Sequence, residues 1–292
     1  MTLALLFLAA FAIAAKNAPP SEQIPEAKFD AGRLRTGRFD YRIMQNGKQI
    51  ATFVITIDKQ PGGNFRFAAK GLNQEWESIA KSSFAPISAA LRIERPENQK
   101  TYAMNLNYDG NHVSGSAGTT AKSMTDEAKH AEMKLVSAEI SPDTIDQRID
   151  WAAMLASGLE TGRKVNFTVY DPATGVSKVM GEISKAEPTR VPAGTFETIR
   201  AAYRIEKSKG TETYEVLASK ERPRFMVRED FSNGMSTELV KIGDEGGAAD
   251  NVAEAAEGFE SPPAAGKMLP DSVSLAESRG FRELTILSSD HF

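Results

Sequence analysis

The chain contains no cysteine in 292 residues. That excludes disulfides, thiolate metal sites and cysteine nucleophiles. Histidine is scarce as well. His112, His130 and His291 are far apart, and none forms a spaced pair such as His-x-x-x-His. A zinc site without thiolates needs carboxylates beside histidines, and no such cluster is visible. No cofactor is expected. A basic surplus is also missing. The net charge is −4, and Gly243–Phe292 alone holds ten acidic and three basic residues. The remainder is then only +3, too little for a nucleic-acid binder. No stretch spans a bilayer either, since the longest apolar run, in Met1–Ala15, is about 13 residues against the ~20 required.

What is present begins with that run. MTLALLFLAAFAIAA ends at Lys16-Asn17-Ala18-Pro19-Pro20, and Ala12-Ile13-Ala14 fits a signal-peptidase site. The reading is a signal peptide over residues 1–18, with a retained anchor or a buried core segment as the alternatives. With no lipid-attachment cysteine, the expected product is a soluble periplasmic protein and not a lipoprotein. Residues 19–36 read as a flexible leader. Residues 243–292 read as a mostly disordered acidic tail, rich in Gly, Pro, Ala and Glu.

Between them, residues 37–242 show period-two alternation, the mark of half-buried strands. Phe39, Tyr41 and Ile43 alternate with Arg38, Asp40 and Arg42. Asn46-Gly47 and Asp109-Gly110 are hairpin turns, because both central positions tolerate positive φ. Gly118–Lys129 reads as a polar loop. About eleven strands emerge, mostly joined by hairpins and therefore antiparallel. One helix is expected near 142–157. Ser141-Pro142 resembles an N-cap, Ile145, Ile149, Ala152, Ala153 and Ala156 recur at helical spacing, and Gly158 suits a left-handed C-terminal cap. Asp146, Arg148 and Asp150 then fall on its solvated side. The fold class is mainly β: a large curled antiparallel sheet, half-barrel or clam, around one helix. The alternative is two small β domains divided near Gly118–Lys129.

The order of strands and turns, together with Ile149-Asp150-Trp151, Val191-Pro192-Ala193-Gly194-Thr195-Phe196 and Ala218-Ser219-Lys220-Glu221-Arg222-Pro223-Arg224, resembles exported bacterial proteins of the domain of unknown function 3108 family. The likeness covers roughly Gly37–Ile242. It implies an outline similar to periplasmic lipoprotein carriers, in which a curled sheet holds acyl chains against a helical plug. The family has no established activity, so it implies no site residues.

The residues themselves encode no reaction. Ser114-Gly115-Ser116-Ala117-Gly118 is not a Gly-x-Ser-x-Gly elbow. Pro61-Gly62-Gly63-Asn64 lacks the lysine and helix of a P-loop. Glu75-Trp76-Glu77 sets two carboxylates about an aromatic, a layout some glycosidases use. On a strand, however, Trp76 points inward and both glutamates face solvent. The chain is read as non-enzymatic, with a hydrolase at Glu75 and Glu77 as a minor reading. Tyr41, Phe53, Tyr102, Tyr108, Trp151, Phe167, Tyr203 and Tyr214 are core residues first, and are the candidates for lining a ligand cavity on the concave side of the sheet. Two functions compete: a periplasmic carrier of an apolar or lipid-like ligand, and an envelope interaction module that takes a protein partner through a sheet edge or the acidic tail.

Overall fold

Seventeen strands account for most of residues 27–243 in the computed structural model, which describes residues 27–125, 128–129, 132–207 and 210–243, with the backbone of 273–275 and 284–286. In chain order they are β1 (Gly37–Gln45), β2 (Lys48–Lys59), β3 (Phe65–Gly71), β4 (Gln74–Ala80), β5 (Pro86–Arg95), β6 (Lys100–Asp109), β7 (His112–Ala121), β8 (Lys134–Glu139) and β9 (Ile145–Asp146). After the helix come β10 (Lys164–Asp171), β11 (Gly175–Lys185), β12 (Thr189–Val191), β13 (Gly194–Phe196), β14 (Thr198–Lys207), β15 (Gly210–Ser219), β16 (Met226–Phe231) and β17 (Met235–Ile242). Strands β12 and β13 form a separate hairpin. The other fifteen form one sheet, which does not close into a barrel, in the order β8-β7-β6-β5-β4-β3-β2-β1-β17-β16-β15-β14-β11-β10-β9. The signal region, most of the leader and most of the acidic tail lie outside the described residues. Within the tail, Val273–Leu275 and Leu284–Ile286 pair antiparallel.

Two meanders meet where β1 pairs with β17, so the first strand joins the two halves. That seam rules out the two-domain alternative. Gly118–Lys129 does not divide the chain either, because β7 runs on to Ala121 and pairs with Lys134–Glu139, a strand the alternation did not predict. The expected hairpins are in place: Asn46 and Gly47 have φ of 49° and 76°, both positive as the tight turn demands.

The inward rows of both halves merge into one core. Phe39, Tyr41, Phe53, Ile55, Phe67, Leu91, Ile93, Met104 and Val113 contribute from one half. Phe167, Val179, Ile183, Ala201, Ile205 and Val216 contribute from the other. The plug between them differs from the expected helix. Ser141–Thr144 is a turn, closed by the Thr144 N–H donating to the Ser141 carbonyl at 2.9 Å. Ile145 and Asp146 then pair parallel with Val169 and Tyr170 at the edge of β10. A 3-10 turn follows over Gln147–Ile149, and only Asp150–Ala156 is α-helix, here α1. The cause is competition for backbone: the open edge of β10 captures Ile145 and Asp146 before a helix can include them.

Every residue of α1, DWAAMLA, is buried. Its small residues allow the close approach. At Gly181 on β11, an added Cβ would lie 2.9 Å from both Met154 Cε and Tyr203 Cβ, so glycine makes room for the plug there. Gly158, at φ +86°, ends the helix in the left-handed conformation as expected. The leader is not loose from Ala27 onward. Ala31 and Leu34 are core residues, and Ala31–Arg33 forms a 3-10 turn capped by Asp30. The burial of Ala31 and Leu34, and the Ala31 N–H donating to the Ser82 carbonyl at 2.8 Å, bind this stretch down.

Candidate functional site

The most unusual chemistry lies inside the protein. Asp146, Gln147, Arg148, Asp150, Asp171, Ser78 and Thr144 are all 0–1% exposed. The parallel pairing of β9 with β10 brings Asp146 beside Tyr170 and thus next to Asp171. Asp146 Oδ1 accepts from the Arg148 N–H at 2.9 Å, which caps the 3-10 turn, and lies 2.6 Å from Arg148 Nη2. Arg148 Nη1 reaches Asp171 Oδ2 at 3.3 Å and Met104 Sδ at 3.3 Å. Asp171 Oδ1 also accepts from the Ala173 N–H at 2.8 Å. One guanidinium therefore ties the plug to β10 on one side and β6 on the other.

The solvated face assigned to Asp146, Arg148 and Asp150 is thus corrected. The plug is enclosed, so it has no solvated face. The six apolar residues that follow Asp150 in α1 were a signal of this, because a helix that is apolar all round is a buried one.

With both carboxylates ionised, Arg148, Asp146 and Asp171 carry one net negative charge. Burial raises the Asp146 pKa, and the opposing pull of Arg148 does not cancel it. Protonating Asp146 neutralises the cluster. Burial alone would lower the Arg148 pKa, but Asp146, Tyr108 and Asp171 outweigh it and hold the guanidinium charged. A carboxyl whose folded pKa is raised stabilises the fold below its unfolded pKa, and that stability fades as pH rises through the folded value. Asp146→Asn should abolish this part of the pH dependence. Urea unfolding at pH 4 to 7 should show wild-type stability falling, relative to the variant, as pH rises. Parallel curves would contradict this assignment.

The eight aromatic candidates are 1–8% exposed and pack against one another and the plug. Tyr41 stacks on Phe53 with centroids 5.2 Å apart, and its hydroxyl donates to the Met226 carbonyl at 2.8 Å. Burial pushes the Tyr41 pKa far up. Tyr203 stacks on Tyr214 at 5.3 Å, and the Tyr214 hydroxyl donates to Glu212. Phe167 meets the edge of Phe29 at 5.2 Å. Tyr108 meets Tyr170 at 6.5 Å and borders the arginine cluster, where burial and Asp146 raise its pKa. Trp151 is enclosed in α1, and Tyr102 in the inward row of β6.

Two open hollows lie on the opposite, outward face. One, of about 760 Å³, crosses β1 to β6. Its lining mixes the small or apolar Val54, Ala68, Ala90 and Ala103 with the charged Arg38, Arg66, Lys70, Glu75, Glu77 and Arg92. The register explains the arrangement. Thr56, Ala68, Glu77, Ala90 and Asn105 form one cross-strand row, and Val54, Lys70, Glu75, Arg92 and Ala103 form the next. Glu77 stands between Ala68 and Ala90 in the first row, and Lys70, Glu75 and Arg92 stand between Val54 and Ala103 in the second; the small side chains beside these long ones leave the space. The charges are paired: Arg66 bridges Asp58 and Glu77, Arg38 reaches Asp40 at 2.8 Å, and Lys70 approaches Glu75 at 3.8 Å. Trp76 points into the core and Glu75 and Glu77 point out, as alternation predicted. The second hollow, about 670 Å³, lies over Gly181, Ala202, Tyr203, Thr213 and Tyr214. Tyr203 and Tyr214 are the two aromatic candidates that line either of these hollows.

His112 Nδ1 lies 2.9 Å from Glu139 Oε1 at the surface, while His130 and His291 lie outside the described residues. Ser114–Gly118 lies within strand β7, with no helix behind it. Among the described residues there is no group of three or more His, Asp or Glu able to hold a metal, and no helix long and apolar enough to cross a membrane.

These features define a class: a β protein whose large open sheet curls about a fully buried plug and is pinned to it by an internal arginine. The chain belongs to the DUF3108 family, proteins of unknown function, whose sequence model matches residues 27–240. A crystal structure from Bacteroides fragilis, of a protein described as exported and as having a YmcC-like fold, is also similar to it. That likeness covers 75% of this chain and 100% of the other, at 13% identity and a TM-score of 0.30. No curated protein matches the chain.

Proposed function

We propose that this chain is an exported, non-catalytic protein of the cell envelope, periplasmic after signal cleavage, that binds an apolar or lipid-like ligand on the outward face of its sheet. The carrying observation is the hollow of about 760 Å³ whose lining includes Val54, Ala68, Ala90 and Ala103. Its size is within the ~300–1,000 Å³ of small-molecule sites, and small apolar residues set among paired charges suit an amphiphile. The inward aromatic face serves the core in this reading. The paired state of Glu75 and Glu77 supports a binding role over a hydrolytic one.

Native mass spectrometry of the chain after periplasmic expression, then titration with a fluorescent fatty acid, tests this. Ala68→Phe with Ala90→Phe fills the hollow and should weaken uptake at least tenfold. Both positions face outward, so stability should change by less than about 1 kcal/mol. No uptake by the wild type, or equal uptake by the double variant, would sink the reading.

One observation favours the interaction module instead. Strand β8 is an edge of the sheet, and its Leu135 is 91% exposed. An edge with unpaired backbone groups accepts an added strand. Here the expected result is one stoichiometric envelope partner, lost in Leu135→Lys or on deleting Gly243–Phe292. A chain that remains monomeric in envelope extracts would count against it.

A further inference from the structure

Arg224 is only 6% exposed, yet its Nε and Nη1 have no partner. Backbone bonds hold the residue in place. The Arg224 N–H donates to the Arg33 carbonyl at 2.8 Å, and the Arg35 N–H donates to the Arg224 carbonyl at 2.7 Å. Leu34 and Arg224 thus form a parallel bridge. Bridge partners project to the same side. Leu34 enters the core, so Arg224 is drawn inward with it.

The charges that act on Arg224 have its own sign. Burial lowers its pKa, and Arg222 and Arg33 lower it further. Arg33 belongs to a second crowded pair. The Nη1 atoms of Arg33 and Arg163 lie 2.8 and 3.0 Å from the point a Gly158 Cβ would occupy. Arg33 Nη1 donates to the Ala156 carbonyl at 3.1 Å, and Asp30 stands 3.8 Å from Arg33 Nε at the solvent edge. A guanidinium does not shed its proton in a protein, so its burial among like charges is a standing cost. A bound anion removes that cost.

We infer that Arg224, with Arg222 and Arg33, forms a binding site for a phosphate-type oxyanion, free or carried as a phospholipid headgroup. Guanidinium groups match phosphate oxygens in geometry, and three of them suit a dianion better than a single carboxylate. Exposed Arg222 and partly exposed Arg33 mark the approach from solvent. The site lies beside the leader and the loop before β16, and does not rest on the proposed groove.

Isothermal titration calorimetry of the full chain at constant ionic strength tests it, with inorganic phosphate and soluble dihexanoyl phosphatidate as probes. Saturable phosphate binding is expected. Arg224→Gln should weaken it by about tenfold or more, as loss of a charge-assisted hydrogen bond does. Arg222→Gln, at an exposed position, should weaken it by about threefold with an unchanged Tm. Tighter binding of phosphatidate than phosphate supports the headgroup source, and equal binding supports the free anion. No saturable binding of either probe overturns the site, as does binding that Arg224→Gln leaves intact. If Arg224→Gln does not fold, unchanged affinity in Arg222→Gln overturns it.

Discussion

Arg148→Ala should lower the free energy of unfolding by about 3–5 kcal/mol, the range for breaking a buried ion pair from one side. The loss has a clear origin. Asp146 and Asp171 are both fully buried, and Arg148 is the cation between them. Removing it strands two carboxyl groups in a medium that solvates charge poorly. The deficit should shrink with acid, because protonation discharges Asp146, whose pKa burial raises. Urea unfolding at pH 7 and pH 4 checks both parts. A deficit below about 1 kcal/mol at pH 7 would show that the cluster does not hold the plug. Arg148→Met with Asp146→Asn and Asp171→Asn should recover part of the loss, since it removes the stranded charges along with the cation.

Phe167→Ala should cost about 3–5 kcal/mol, as large-to-small changes of buried aromatics do. Phe167 is 1% exposed and meets Phe29 edge-on, at the seam between the leader and β10. Trp151→Ala in α1 belongs to the same range. Val54→Ala, on the outward face, should cost less than about 1.5 kcal/mol. Thermal and urea unfolding of the three variants distinguishes core from cavity. If Phe167 instead lined a ligand site, its truncation would cost little, and adding the fluorescent fatty acid would raise the Tm of wild type but not of the variant.

Strand existence was legible because a half-buried strand writes its pattern locally. Phe39, Tyr41 and Ile43 alternate with polar neighbours whether or not their partners are known, and Asn46-Gly47 turns the chain through its own dihedral preferences. Trp76 inward with Glu75 and Glu77 outward follows from the same period. The plug was not legible in that way. Ile145 and Asp146 are compatible with a helix until β10 offers its edge, and Asp146, Arg148 and Asp150 look solvated on any isolated helix. Strand β8 was missed because its outward Leu135 breaks the alternation that would have announced it. The outward groove was invisible for another reason. It depends on Ala68 and Ala90 flanking Glu77 in one cross-strand row, with Ala103 in the next row, and that is a matter of register.

By itself, the sequence determined the β class, the hairpins, the inward aromatic rows, the absence of thiol chemistry and the membership in the DUF3108 family. Each follows from nearest-neighbour physics or from composition. Tertiary structure decided which charges are buried and which edges remain open. It set Arg148 between two aspartates, left Arg224 among arginines and brought small side chains of β3, β5 and β6 to one hollow. Those outcomes depend on contacts between residues far apart in the chain, and the free energy of a charge is set by what surrounds it.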